Sequence, residues 1–323
     1  MRDKREFVML MHSLKEVLYG PRWFVSEKFD GQRCFWDGGV TRGMAKAEVP
    51  WANTQKDARY KEVQVATGLW SRYGHVIHAP DWWLDGLPTV PLDGELWMGH
   101  GTFNRCRSTV SKLPANRDDS EWREVSYRVF DIVPAVSFCC EGRINNVNWK
   151  EFIFPAKEAY ALFEGVWDWG YDPAVLRQYE SSYELLVAHA SNRGPWSVVE
   201  QSVLDQDPWD LLVCTLGDDP RIEGLVVRRR TSWWKATRSK DCLKVLLSKV
   251  GSGTVTGWTD GKGKYVGKIG ALRVVGDCGA EFSVNVRGDE YREEGSWSVG
   301  DTVEYEYMML TPDGKPRNPR LKI

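Results

Sequence analysis

The feature that most restricts this 323-residue chain is a change of texture after about residue 250. Glycine becomes frequent there, and short alternating runs follow: Phe282-Ser283-Val284-Asn285-Val286, then Thr302-Val303-Glu304-Tyr305-Glu306-Tyr307. Alternation with period two gives a strand one apolar face. Short strands with Gly-rich turns over about 75 residues predict a small closed barrel such as an OB-fold. The boundary falls near 246–252, so the chain divides into 1–247 and 248–323.

The first part mixes strands and helices. Phe24–Ser26, Cys34–Trp36 and Tyr127–Val133 are rich in aromatic or β-branched residues and read as strands. Residues 150–164 read as a helix, with Pro155 near its start and Gly165 just past its end. Residues 181–193 read as another, with Ser181-Ser182-Tyr183-Glu184 as a capping box and Gly194 as terminator. Seventeen tryptophans exclude a disordered chain.

No apolar run approaches the roughly 20 residues of a membrane helix. The apolar patch Phe7–Leu14 is interrupted by His12 and Ser13 and lacks a cleavage site, which predicts no signal peptide. Seven cysteines without a CxxC pair make neither a disulfide framework nor a zinc module. The expectation is a cytoplasmic protein with reduced thiols.

The net charge is only −2, but charge is unevenly spread. Residues 141–220 hold fourteen acidic and five basic side chains, and residues 221–250 hold two acidic and nine basic. Further basic clusters are Lys262, Lys264 and Lys268, and Lys315, Arg317, Arg320 and Lys322. Local cationic surface is what phosphate binding requires, because each neutralised phosphate releases counterions. A solvated charged face is the plainer account of any one cluster.

Glu27-Lys28-Phe29-Asp30-Gly31-Gln32-Arg33 follows the first strand. A lysine amine becomes a nucleophile when cations, metal or desolvation expose its lone pair. Gly31 suits a tight turn, and Arg33 can meet a phosphate. Asp-Gly is also an ordinary hairpin dipeptide.

Lys28-x-Asp30-Gly31-x-Arg33 resembles the first motif of the covalent nucleotidyltransferases: ATP-dependent DNA ligases, RNA ligases and mRNA capping enzymes. The other motifs follow in the family's order. Leu92-Asp93-Gly94-Glu95-Leu96-Trp97 resembles motif III, Tyr127-Arg128-Val129-Phe130-Asp131 resembles motif IIIa, and Glu223-Gly224-Leu225-Val226-Val227-Arg228 resembles motif IV. The resemblance makes Lys28 the nucleophile that takes AMP. It gives Glu27, Arg33, Glu95, Phe130, Glu223 and Lys244 to nucleotide binding, with Phe130 stacking on the purine and Glu95 and Glu223 serving Mg²⁺ (or Mn²⁺). Alone, each has a plain structural reading: Asp-Gly-Glu a turn, Phe130 a core residue, Glu223 a strand end. All four in order make coincidence a poor account.

Motif V is the weaker match. Arg238-Ser239-Lys240-Asp241-Cys242-Leu243-Lys244-Val245-Leu246 aligns the family's first lysine with Lys244 but puts Leu246 at the second. For the arginine that meets nucleic acid the candidates are Arg42 and Arg72. The longer string Arg72-Tyr73-Gly74-His75-Val76-Ile77-His78-Ala79-Pro80-Asp81-Trp82 favours Arg72 and makes about 40–68 an insertion.

Gly261-Lys262-Gly263-Lys264-Tyr265-Val266-Gly267-Lys268, Gly99-x-Gly101-x-Phe103 and the ending Gly314-Lys315-Pro316-Arg317 resemble small bacterial or phage ATP-dependent DNA ligases. The resemblance covers about 23–133 and 221–323. It implies an α+β fold: an ATP-grasp-like adenylation (nucleotidyltransferase) domain of antiparallel sheets with flanking helices, then the OB-fold barrel. It also implies ATP as substrate, a monomer, and nicked double-stranded DNA as partner, met by Arg72, Arg42, Lys262, Lys264, Arg238 and Arg317, with the 221–250 segment along the duplex. An RNA ligase, a guanylyltransferase, and an OB protein with a decayed transferase remain as alternatives.

Overall fold

A computed structural model describes residues 8–14, 20–53, 63–133, 178–190, 194–204, 222–246, 248–277, 279–293, 295–311 and 313–322. Its contacts divide these into two compact units, one of residues 8–204 and 226–244, the other of 222–225 and 245–322. The step at 244/245 lies three residues before the expected boundary. The helix expected over 150–164 lies outside the described residues.

In chain order the first unit's elements begin with β1 (Leu10–Ser13), β2 (Trp23–Glu27), β3 (Gln32–Asp37), β4 (Leu69–Ser71), α1 (Asp81–Leu84), β5 (Pro91–Trp97), α2 (Phe103–Val110) and β6 (Ser126–Ile132). They continue with α3 (Tyr179–His189), β7 (Trp196–Val198), β8 (Ser202–Val203), β9 (Gly224–Arg229) and β10 (Arg238–Leu246). Two five-stranded sheets result, ordered β1-β10-β9-β2-β8 and β4-β3-β5-β6-β7.

The sheets are mixed, where antiparallel ones were expected. β1 pairs with β10 in parallel, and so does β6 with β7. Both pairs join segments far apart in sequence, and parallel neighbours need such long connections. The helix expected over 181–193 spans Tyr179–His189 instead, and no side chain caps its start at Gln178. The Ser181–Glu184 box therefore lies inside the first turns. What holds that start is tertiary: Tyr179 N–H donates to the Ser232 carbonyl and Glu180 N–H to that of Arg230.

Two aromatic-rich cores hold this unit. One gathers Trp83, Trp122, Tyr127, Leu92 and Leu96 around β5 and β6. The other gathers Phe35, Trp51 and Trp70. Trp83 and Trp122 meet edge-on, centroids 5.1 Å apart. Such pairs add to the large area each ring buries. The strand expectations hold: Cys34–Trp36 and Tyr127–Val133 feed the two cores, and Phe24–Ser26 is buried on β2.

The second unit contains a closed barrel, β11 (Lys249–Asp260), β12 (Ile269–Gly276), β13 (Glu281–Asn285), β14 (Thr302–Tyr307) and β15 (Arg320–Leu321), in the order β11-β12-β13-β15-β14. Val255, Leu272, Val274, Val284, Val303 and Leu321 fill it. The alternation seen in the sequence puts Val303 and Tyr305 inside and Thr302 and Glu304 outside.

Candidate active site

The Lys28 motif is the turn between β2 and β3. β3, β5 and β6 lie side by side, and their register sets Arg33 opposite Glu95 and Glu95 opposite Arg128. Cross-strand partners share a face. Three charged side chains thus cross one face of the sheet in a row. Alternation along β6 leaves Arg128 and Phe130 half-buried while Tyr127, Val129 and Asp131 are buried. A cleft opens here, its wall including Glu27, Lys28, Phe29, Arg33, Glu95 and Phe130.

The Asp-Gly-Glu triplet now has a physical reading. Asp93 is fully buried and grips Arg33 in a fork: Nε to Oδ1 and Nη2 to Oδ2, both 2.7 Å. Trp234 Nε1 donates to the same Oδ2 at 2.8 Å. Gly94 follows a bulge in the β5–β6 ladder, and a Cβ there would meet the Arg128 oxygen at 2.5 Å. Glu95 then faces the cleft. The triplet is a clamp, a close approach and a cleft-facing carboxylate in succession.

Arg33 also stacks on Phe130, its guanidinium carbon 4.4 Å from the ring centroid. Burial disfavours its charge, but Asp93 outweighs burial and keeps the guanidinium firmly cationic. Its Nε and Nη2 donate inside the protein, to Asp93 and, at 3.1 Å, to the Met9 carbonyl. Arg33 therefore shapes the cleft and backs Phe130.

A second buried ion pair reaches the Phe130 backbone through Tyr179. Arg228 Nη2 donates to Asp131 at 2.9 Å, Arg228 Nε donates to Ser232 Oγ at 2.7 Å, and the guanidinium lies over Tyr179 at 4.3 Å. Tyr179 Oη donates to the Phe130 carbonyl at 2.8 Å. Burial pushes the Asp131 carboxyl up, with Arg228 pulling against it. Sequence reading assigned no role to Asp93, Trp234, Asp131 or Tyr179. Asp93 and Trp234 stand 141 residues apart, so only the fold unites them.

The basic run 221–250 was expected along a duplex. Four of its described members meet acids: Arg228 with Asp131, Arg229 with Asp241 at 3.2 Å, Lys235 with Asp241 at 3.0 Å, and Arg230 with Glu180. The acidic excess before it and the basic excess within it partly answer each other through Arg230 and Glu180. Arg238 donates to the Met11 carbonyl.

Glu223 stands one residue before β9, whose Val226 and Arg228 line the cleft. Lys244 lies on β10 two residues beyond Cys242, another lining residue, and its carbonyl accepts from Leu14 N–H at 2.9 Å. Neither Glu223 nor Lys244 is part of the described wall.

Of the arginine candidates, Arg42 binds Asp81, the first residue of α1, and Asp85, just past its end, at 2.6 Å each. Arg72 sits in the turn after β4 and lies over Tyr73 at 4.6 Å. In the barrel unit, Lys262 and Lys264 occupy the β11–β12 loop, with Lys264 over Tyr265 at 4.6 Å. Arg317 Nη1 donates to Met309 Sδ at 3.2 Å.

Burial pushes the Cys34 thiol well above its ordinary range and Cys106 up to about 12, so neither serves as a nucleophile near neutral pH. Among the described residues no three His, Cys, Asp or Glu side chains converge on a metal position.

Two sheets followed by a closed barrel are the architecture that the motif resemblance implied. Residues 260–323 match the family model of the DNA ligase OB-like domain. Over 311 residues the chain is 23% identical to a DNA ligase of Haemophilus influenzae, covering 96% of this chain and 89% of that one. A solved structure from work on Lig E DNA ligases superposes with a TM-score of 0.65 at 21% identity, covering 98% of this chain and 97% of the other. A structure named Pmar-Lig_PreS3 gives 0.60 at 18% identity over 98% of this chain and 67% of its own. The likeness to small ATP-dependent DNA ligases read from the motifs thus holds for the fold and for the C-terminal domain. No helix among the described residues is long and apolar enough to cross a membrane.

Proposed function

We propose that this protein is an ATP-dependent DNA ligase that seals nicks with a 5′-phosphate and a 3′-hydroxyl in duplex DNA. The observation that carries the reading is the cleft that gathers Lys28, Glu95 and the Arg33-backed ring of Phe130 on one sheet face. Phe130 offers a flat apolar surface for a purine. Lys28, at the turn, supplies the amine. Its Nζ attacks the α-phosphorus of ATP, a P–N bond forms, the P–O bond to pyrophosphate breaks, and the amine loses a proton. AMP then passes to the 5′-phosphate at a nick, and the 3′-hydroxyl displaces it. Such transfers depend chiefly on positioning and charge neutralisation.

With no convergent ligand cluster among the described residues, a divalent ion fits as one carried on phosphate oxygens and water, with Glu95 as a protein carboxylate. When bound, Mg²⁺ would neutralise charge on the triphosphate. Glu223 and Lys244 keep the metal and phosphate roles that the resemblance gives them. Arg72, Lys262, Lys264 and Arg317 are proposed to meet the DNA backbone. Arg238 is proposed to join them, and Arg42 by giving up Asp81 and Asp85. The three described cysteines are buried and unpaired, which suits the proposed cytoplasmic setting.

The test is sealing itself. The protein, ATP and Mg²⁺ are incubated with a duplex carrying one 5′-phosphorylated nick and, separately, with a nicked RNA duplex. A full-length DNA strand, absent for Lys28→Ala, is expected. Sealing of RNA alone would replace this reading by that of an RNA ligase.

A further inference from the structure

The loop Gly99-His100-Gly101-Thr102, between β5 and α2, lends its glycines to the motif resemblance, but the reading above gives none of its side chains a role. Gly99 and Gly101 sit at φ +112° and +74°, where a side chain is rarely tolerated. Thr102 Oγ1 donates to the Gly99 carbonyl at 2.7 Å. The side chain this tight excursion carries is His100, and its Nε2 lies 2.7 Å from Glu27 Oε1. The imidazole also stands edge-on to Trp97, centroids 5.1 Å apart, and Trp97 stands edge-on to Phe29 at 5.1 Å. Glu27 and Phe29 flank Lys28 in sequence, and all three line the cleft. One loop therefore braces both neighbours of the lysine, Glu27 directly and Phe29 through Trp97.

We propose that His100 is a positioning residue for nucleotide binding, holding the Glu27 carboxylate and the Glu27–Phe29 turn in the arrangement that ATP meets. An ionised carboxylate only accepts hydrogen bonds. With one oxygen fixed on the imidazole, Glu27 presents a pre-oriented acceptor to a donor on the nucleotide. Ordering a flexible side chain before the ligand arrives lowers the cost of binding. His100 and Glu27 are 31% and 24% exposed, so the pair adds little to global stability.

The inference rests on the ATP reading above, and its test separates the two. Labelling of Lys28 is followed against ATP concentration for wild type, His100→Ala and His100→Gln, with melting temperatures alongside. Hydrogen bonds to charged groups of this kind predict a rise of about tenfold in KM for ATP in His100→Ala. The saturated rate and the melting temperature stay close to wild type. Gln retains a side-chain donor and restores most of the lost affinity. An unchanged KM in His100→Ala overturns the inference while leaving the ATP reading intact. So does a His100→Gln variant no better than His100→Ala. A wild type that takes no label overturns the ATP reading, and this inference with it.

Discussion

Gly31 carries no functional group, yet a Cβ there would lie 2.1 Å from the Leu96 oxygen and 2.9 Å from Glu95 Cγ. The sequence suggested a glycine needed for turn conformation. The structure replaces that with a close approach, since Gly31 is not among the positive-φ glycines. Its absent side chain lets the Lys28 turn lie on the strand that carries Glu95. Gly31→Ala must therefore separate the two, and overpacking of this kind costs about 1–3 kcal/mol. The expected result is a lowered melting temperature and a loss of Lys28 labelling larger than that destabilisation explains. Full labelling at wild-type stability would contradict it. At this scale the motif residues were legible because their order along the chain is the signal. Asp93–Trp234 and Asp131–Arg228 were not, because buried ion pairs between distant segments leave no local pattern.

At the scale of elements, β3 ends on Asp37, a buried carboxylate with no cation bonded to it. It accepts from Thr41 Oγ1 at 2.5 Å, Trp70 Nε1 at 2.9 Å and Gly39 N–H at 2.9 Å. These bonds pin the start of the 40–68 segment to β3 and β4. Burial raises the Asp37 carboxyl from 3.8 to about 6, against the pull of those bonds. Between these values the folded protein holds a proton that the unfolded chain releases. Stability therefore falls as pH rises from about 4 to about 6 and is level above, by about 3 kcal/mol for this group alone. Denaturant melts across that range should fall more steeply for wild type than for Asp37→Asn. Parallel curves would contradict the assignment. Strands were legible where aromatic and β-branched residues cluster, as at Tyr127–Val133. The start of α3 was not, because backbone bonds to Ser232 and Arg230 overrode the local capping signal at Ser181.

At the scale of the whole molecule, a net charge of −2 hides a division of labour. Arg228, Arg229, Arg230 and Lys235 in 221–250 are paired with acids inside the protein, and the loop of Lys262 and Lys264 is among the contacts proposed for DNA. The barrel was legible from alternation and glycine frequency, whereas the mixed sheets were not, because parallel pairing depends on connections that periodicity does not record. Lys262→Ala with Lys264→Ala is expected to weaken nicked-duplex binding and to flatten its log–log salt dependence by about two, as loss of two phosphate contacts requires. Labelling by ATP alone should be unaffected. An unchanged salt slope would remove this loop from the interface.

Lys28 is proposed to carry AMP, and the intact mass of the protein after incubation with ATP and Mg²⁺, followed by peptide mapping, tests this. One added adenylate is expected, located on Lys28, released by acid as a phosphoramidate would be, and discharged by nicked DNA. Wild-type protein that stays unmodified under these conditions, or an adenylate found on another residue, would contradict it.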